Sequence, residues 1–410
     1  MTYTNKIFFE LIQVAIGKRV CLLHTPSAAE WQTLYDMALK QSLVGICFAG
    51  VQKLQEQQQA PPEMLYLQWM GMAAKIQQRN EVLNKRQPEV LRYFRENGFP
   101  CVVLKGQGVA DLYKVSEPSA VSEFQRVSSD LTKLRQSGDI DVWLDCKREE
   151  LYEFSKKEFG KVEGITYHHI HYPKWDGVEV EAHIYPSFLS SPRRHKALKE
   201  FCEIHKPKGN DNDGFDRLTN RDDNLNDNVN PNHNDTSLIL KHDVPSLAFN
   251  RVYILLHCYR HFCGHGIGLR QLLDYYFVLK ASLHLSPEVK RDSNDWIKRL
   301  GMERFAMATS WVLGYVFEGN PDSPSFRKGL GEGFFDPDAE YGKFLLEEVM
   351  RSGNFGQGDE KNRISGSALK RYLYNIKRDI RTMRICPHEA LWDPAFNVYQ
   401  FLMIKFVWNK

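Results

Sequence analysis

The sequence predicts a mixed α+β fold in which a small sheet lies between an N-terminal and a C-terminal helical region. Three observations carry that prediction. Helix-period apolar patterns fill the first hundred residues and return after residue 240. Two short β-rich runs, CVVLK at 101–105 and DIDVWL at 139–144, stand between them. The stretch 165–186, ITYHHIHYPKWDGVEVEAHIYP, reads as a hairpin about Asp176-Gly177.

Composition narrows the class. The 410 residues carry 54 Lys+Arg and 51 Asp+Glu, a formal charge of +3, too small to imply a long polyanionic partner. Hydrophobic residues make up 42%, enough for sizeable cores. No apolar run approaches the roughly 20 residues a membrane helix needs. The segment KIFFELIQVAIGKR is interrupted by Glu10 and is followed by no small-residue cleavage site, so it is expected to be a retained amphipathic helix. The eight cysteines include no C-x-x-C, which argues against a zinc ribbon or a redox motif. A reducing cytoplasm is the expected compartment.

The elements follow in order. Ser27 with Glu30 forms a capping box ahead of EWQTLYDMALKQ. Pro61-Pro62 precede a long amphipathic run, and Pro88 is expected to end it and open a new helix. Gly98 suits a left-handed helix cap, and Pro100 blocks continuation. CVVLK reads as a buried strand, and GQGVADLY as a turn into a helix. Residues 114–134 are expected to form an insertion, and 147–158 a helix. Of residues 209–236, sixteen of 28 are Asn or Asp; with so little apolar surface this segment reads as a flexible linker rather than a calcium loop, since the EF-hand glycine and glutamate are missing. The expected organisation is a helical region over 1–98, a core over 99–205, a linker over 206–240 and a helical domain over 241–410.

The residues that carry chemistry lie in the core. Side chains alternate along a strand, so Asp139 and Asp141 of GDID share a face and can bracket a hard divalent cation. Upstream, Lys105-Gly106-Gln107-Gly108 is a glycine-bearing strand-to-helix turn suited to phosphate. Downstream, VEVEAH places Glu179, Glu181 and His183 on one face. A third carboxylate converging on two aspartates suits two-metal phosphoryl transfer. With a two-residue turn at Asp176-Gly177, Tyr172 faces Glu181, while His169 and His171 point to the opposite face.

The pattern LKG…GDIDVWL…VEVEAH resembles the nucleotidyltransferase superfamily related to DNA polymerase beta, and within it a poorly characterised bacterial branch with an L-K-G turn. The block GIGLRQLLD at 266–274 resembles the same branch, so the similarity spans about residues 90–290. The resemblance implies a nucleotidyltransferase-like core using Mg²⁺ or Mn²⁺ with an NTP as substrate. It implies Asp139, Asp141 and Glu181 as catalytic metal ligands, with His183 beside them. Gly106 matches the glycine turn and Arg135 the basic residue before GDID. Lys105, Gln107, Gly108 and Arg270 are expected to join Gly106 and Arg135 in binding nucleotide, with Glu179 and Asp274 behind the ligands. The superfamily's usual turn is Gly-Gly or Gly-Ser, and here Gly106-Gln107 stands in its place.

Other patterns carry less. His257 and His261 have zinc-compatible spacing, but Cys258 stands where a metalloprotease needs Glu. Arg270 and Asp274 are expected to pair along one helix. The basic stretch 368–384 reads as an amphipathic helix with a solvated face. The expected function is transfer of a nucleoside monophosphate from an NTP to an acceptor hydroxyl, releasing pyrophosphate. The acceptor is a small molecule, a protein or an RNA end, with neither DNA nor membrane as partner. The alternative is a degenerate core acting as a nucleotide-sensing or protein-binding module.

Overall fold

The computed structural model describes residues 2–114, 130–162, 164–207, 243–321, 334–356, 368–403 and 405–406. The 209–236 segment and most of the 114–134 insertion lie outside the described residues.

Four helices lead: α1 Tyr3–Ala15, α2 Ala28–Lys40, α3 Val44–Glu56 and α4 Glu63–Glu96. The expected capping box opens α2, with the Glu30 backbone N–H donating to Ser27 Oγ and the Ser27 N–H donating to Glu30. α4 contradicts the expected break, because its 34 residues include Pro88. A proline inside a helix removes one backbone hydrogen bond and introduces a ring clash. Here Leu83, Val90, Leu91 and Phe94, fully or almost fully buried around it, hold the helix together. Gly98 ends it at φ +84°, a left-handed cap.

The sheet comes next: β1 Cys101–Val103, β2 Ile140–Leu144, β3 His169–His171 and β4 Val180–His183, in the order β1-β2-β4-β3. β1 and β3 pair antiparallel with their neighbours, and β2 runs parallel to β4. The sheet is therefore mixed, and the α+β class holds. A short helix, α5 Gln107–Ala110, follows β1, and α6 Arg148–Phe159 follows β2. The described residues after β4 are mainly helical, with α7 Pro192–His205, α8 Leu247–Gly264, α9 Leu269–Ala281, α10 Pro287–Arg299 and α11 Glu303–Phe317. The helices 339–352, 368–382 and 387–403 close the described chain. None of the described helices is long and apolar enough to cross a membrane.

The sheet divides two cores. One face, through Val103, Ile140, Val142, Val180 and Ala182, packs on the C-terminal half of α4 and on Leu151 of α6. The larger core joins both helical regions, from Phe8 of α1 and Trp69 of α4 to Phe249 of α8 and Val316 of α11. Polar side chains stitch the same seam: Gln13 Nε2 donates to Val316 O at 2.8 Å, and the Leu269 N–H donates to Gln41 Oε1 at 2.8 Å. Trp143 of β2 stacks on Phe249 at 5.3 Å between centroids, which seats α8 against the second face of the sheet. That face carries the candidate site.

Candidate active site

Backbone pairing builds the site. In the parallel β2–β4 ladder Asp141 pairs with Glu181, and Trp143 with His183. Register partners project to one face, so the two carboxylates meet there. His183 Nε2 lies 2.9 Å from Asp141 Oδ1 and 3.2 Å from Glu181 Oε2, spanning both. Lys105, in the turn that follows β1, reaches across to hydrogen-bond Asp141, with Asp139 Oδ2 3.5 Å from its Nζ. Asp141 is 1% exposed, whereas Asp139 stands at the rim.

These groups set one another's charge. Burial works against ionisation of Asp141, but Lys105 and His183 outweigh it and hold its carboxyl below the usual range. Burial likewise opposes Glu181, yet His183, His169 and Lys105 bring it down to about 2. Burial disfavours the imidazolium of His183, but its bonds to Asp141 and Glu181 raise it to about 9. Burial keeps His169 neutral, down to about 4.

The turn after β1 is shaped by glycine. Gly106 sits at φ +59°, ψ −115°, a conformation L side chains rarely adopt, and its Cα faces the Asp139 carbonyl. Gly108 packs so close to β1 that a Cβ there would stand 2.8 Å from Val103 O. The Gln107 side chain is spent on the scaffold, bonding Asn84 of α4 and accepting from Ser137 Oγ at 2.5 Å.

Beside the carboxylates lies a cavity of about 840 Å³, lined by Lys105, Gly106 and Asp139 together with Arg79, Arg270 and His257. Arg135 and Asp274 form its floor. Arg135 donates Nε and Nη2 to the two Asp274 oxygens at 2.6 and 2.7 Å, and Tyr113 OH donates to Asp274 Oδ1 at 2.6 Å. The partner of Asp274 in this bidentate bond is thus Arg135, 139 residues away, and the expected charge of Arg270 also acts on the carboxyl. Glu179 is exposed at the mouth, where its backbone carbonyl accepts from the Ile140 N–H at 2.9 Å. Asp139, Asp141, Glu181, His183, Lys105 and Gly106 are therefore brought together, Arg270, Asp274 and Arg135 line the adjoining cavity, and Gln107 and Gly108 serve the framework.

The hairpin reading needs correction. β3 pairs His171, not Tyr172, with Glu181, and His169 with His183. The connection between the strands spans residues 172–179 rather than two turn residues, and this shifts the register by one. A one-residue shift turns every side chain to the other face. His169 and His171 consequently stand on the carboxylate face, with His169 Nδ1 3.4 Å from Glu181 Oε2.

Other contributors have no motif of their own. Arg79 of α4 donates to Gly138 O at 2.9 Å and to Gly177 O, tying the loop before Asp139 to the turn before β4. Asn80 Nδ2 donates to Lys133 O and Arg135 O, both at 2.8 Å. Tyr253 of α8 is 1% exposed; burial and the charges of Asp141, Asp139 and Glu181 push its phenol well up. Helix periodicity marks these positions as facing inward but does not say what they meet.

Residues 27–119 match a family model described as an uncharacterised nucleotidyltransferase. The match supports nucleotidyl transfer. It covers α2, α3, α4, β1 and the Gly106 turn, under a quarter of the chain, and ends before the carboxylates. No curated protein and no solved structure matches the chain.

The donors fit the divalent cation that nucleotidyltransferases use. Asp141, Glu181 and His183 offer ligand atoms within 4.8 Å of one another; Asp139 lies outside that group and meets it through the Lys105 ammonium, which is 3.5 Å from Asp139 Oδ2 and hydrogen-bonded to Asp141. Carboxylate oxygens gathered this closely need cationic compensation.

Proposed function

We propose that this protein is a Mg²⁺- or Mn²⁺-dependent nucleotidyltransferase that moves a nucleoside monophosphate from an NTP to an acceptor hydroxyl. The observation that carries the reading is that Asp141 and Glu181 are register partners and Asp139 shares the Lys105 ammonium with Asp141, next to a cavity that Asp139, Gly106, Arg79, Lys105 and Arg270 line.

Asp139, Asp141 and Glu181 would hold the cation, which when bound neutralises triphosphate charge and favours ionisation of the acceptor. The 105–108 turn receives the β,γ-phosphates, with Lys105, Arg79 and Arg270 supplying positive charge. The Arg135–Asp274 pair keeps the cavity floor in place. The acceptor oxygen attacks the α-phosphorus in line, its proton leaving through a Glu181 oxygen, and pyrophosphate departs. Such catalysis is chiefly positioning and charge complementarity. Residues 99–205 form the catalytic core in this reading, and the helices on either side shape the acceptor site. The acceptor class is a small molecule, a protein side chain or an RNA end.

The test is a melting series with Mg²⁺ or Mn²⁺ and each of ATP, GTP, CTP and UTP, on wild type and on Asp139→Asn/Asp141→Asn. Ligand at 100 times its dissociation constant adds about 2.7 kcal/mol. The expected result is a cation-dependent rise with a nucleotide, lost in the double variant. No rise with any nucleotide at saturating cation would overturn the reading.

A further inference from the structure

We infer that His169, His171 and Glu181 form a second cation site, selective for a transition-metal dication such as Zn²⁺ and placed on the β3 side of the carboxylates. It shares Glu181 with the proposed nucleotidyl-transfer site but does not depend on that function.

The register supplies the ligands. His169 and His171 alternate onto one face of β3, directly opposite His183 and Glu181 of β4. Their ligand atoms and a Glu181 oxygen all lie within 4.8 Å of one another. Glu181 divides its oxygens, with Oε2 3.4 Å from His169 Nδ1 and Oε1 3.8 Å from His171 Nε2. Ligands at zinc-bond lengths around a tetrahedral ion stand about 3.3 Å apart, so these spacings already approach a coordination shell.

A second observation points the same way. His169 is 8% exposed, and its Nδ1, 3.4 Å from Glu181 Oε2, has no hydrogen-bond partner among the described residues. A buried polar atom left in that state is destabilising, and a coordinated ion would satisfy it. His171, with a side chain 48% exposed, gives an ion a route from solvent and leaves coordination positions open. Its ring rests on Gly164, where a Cβ would come within 2.5 Å of the imidazole, so the glycine leaves room for the ring to lie over the loop.

The ligand chemistry separates this site from its neighbour. Oxygen-only sets suit Mg²⁺, whereas two imidazoles with one carboxylate favour Zn²⁺, Co²⁺ or Ni²⁺. Asp139 and Lys105 take no part in it.

The experiment is calorimetric titration of the full, cation-free chain with Zn²⁺, supported by the visible spectrum of the Co²⁺-loaded protein. Wild type, His171→Asn, His169→Asn and Asp139→Asn are compared. The expected result is one Zn²⁺ per chain, not displaced by millimolar Mg²⁺. His171→Asn should weaken binding at least tenfold and alter the Co²⁺ bands, while Asp139→Asn stays within threefold of wild type. His171 is half exposed, so its replacement opens no core, and a wild-type melting curve will confirm a folded protein. Absence of Zn²⁺ uptake, or uptake unchanged in both histidine variants, would overturn the inference. So would an equal loss in Asp139→Asn, which would place the ion between the aspartates. The nucleotide-dependent melting rise with Mg²⁺ is scored separately, so failure of either proposal is seen without the other.

Discussion

Asp141 and Glu181 are register partners in a parallel ladder, and His183 Nε2 lies within 3.2 Å of a carboxylate oxygen on each. Adjacent strands stand about 4.8 Å apart, so the spacing of the two carboxylates is set by backbone pairing and not by loop conformation. The site is correspondingly preorganised, and its weak points are the groups that compensate charge.

Lys105 is the first of these. Lys105→Met leaves Asp141 and Asp139 without their ammonium, so the cation-free protein should melt below wild type. The same change removes a competitor for the carboxylates, so the rise in melting temperature produced by Mn²⁺ should be larger than in wild type. An equal or smaller rise would show that Lys105 and the cation do not occupy the same electrostatic position.

Asp274 gives a second prediction. Burial opposes its ionisation, but Arg135, Arg270 and Tyr113 hold its carboxyl below the usual range. Asp274→Asn leaves the 1%-exposed Arg135 without a counter-charge, and breaking such a buried pair costs about 3–5 kcal/mol. Arg135→Leu/Asp274→Asn should cost less than the sum of Arg135→Leu and Asp274→Asn made singly. Urea unfolding of the four proteins measures the coupling, and strict additivity would rule the pair out.

His183 governs the alkaline response of the cation-free protein. Its folded value, about 9, lies above the ordinary 6.5, so the folded state holds this proton more tightly than the unfolded chain. That stabilisation is complete below pH 6.5 and is lost as pH rises through 9. The slope contributed is up to about 1.4 kcal/mol per pH unit across the window. Unfolding measured in chelator from pH 6 to 10 should show the decline, and His183→Asn should flatten it.

Gly45 tests the link between the family-matched helices and the site. A Cβ at this α3 position would stand 2.2 Å from the Leu134 carbonyl oxygen, which precedes Arg135. Alanine within a helix ordinarily gains about 1 kcal/mol over glycine. Here the clash is with backbone, and overpacking of this kind costs about 1–3 kcal/mol. Gly45→Ala should therefore destabilise, and nucleotide-dependent stabilisation should fall with it. A rise in melting temperature would mean that the segment yields freely.

The parts of this architecture legible in the sequence are those governed by local period. Alternation places Asp139 and Asp141 together and carries Glu181 and His183 as a pair, while Ser27 and Gly98 mark helix ends through their own chemistry. What local period does not contain is pairing at a distance. The His169–His171 face depends on the length of the 172–179 connection, and the Arg135–Asp274 bond joins residues whose helical and loop settings are read independently. Pro88 is a case of packing overruling a local preference: the apolar contacts on both sides of it outweigh the lost hydrogen bond.

α4 contributes to both cores, with Leu65, Trp69, Ala73 and Ile76 in the larger and Leu83, Val90, Leu91 and Phe94 in the one beneath the sheet. Anyone trimming this chain to a minimal working piece inherits a constraint from that arrangement. A fragment starting at the first strand would leave Cys101, Val103 and Val142 facing water, so the excision has to begin upstream of Leu83. Once it does, the severed helix carries along an uncovered stripe that belonged to the other half.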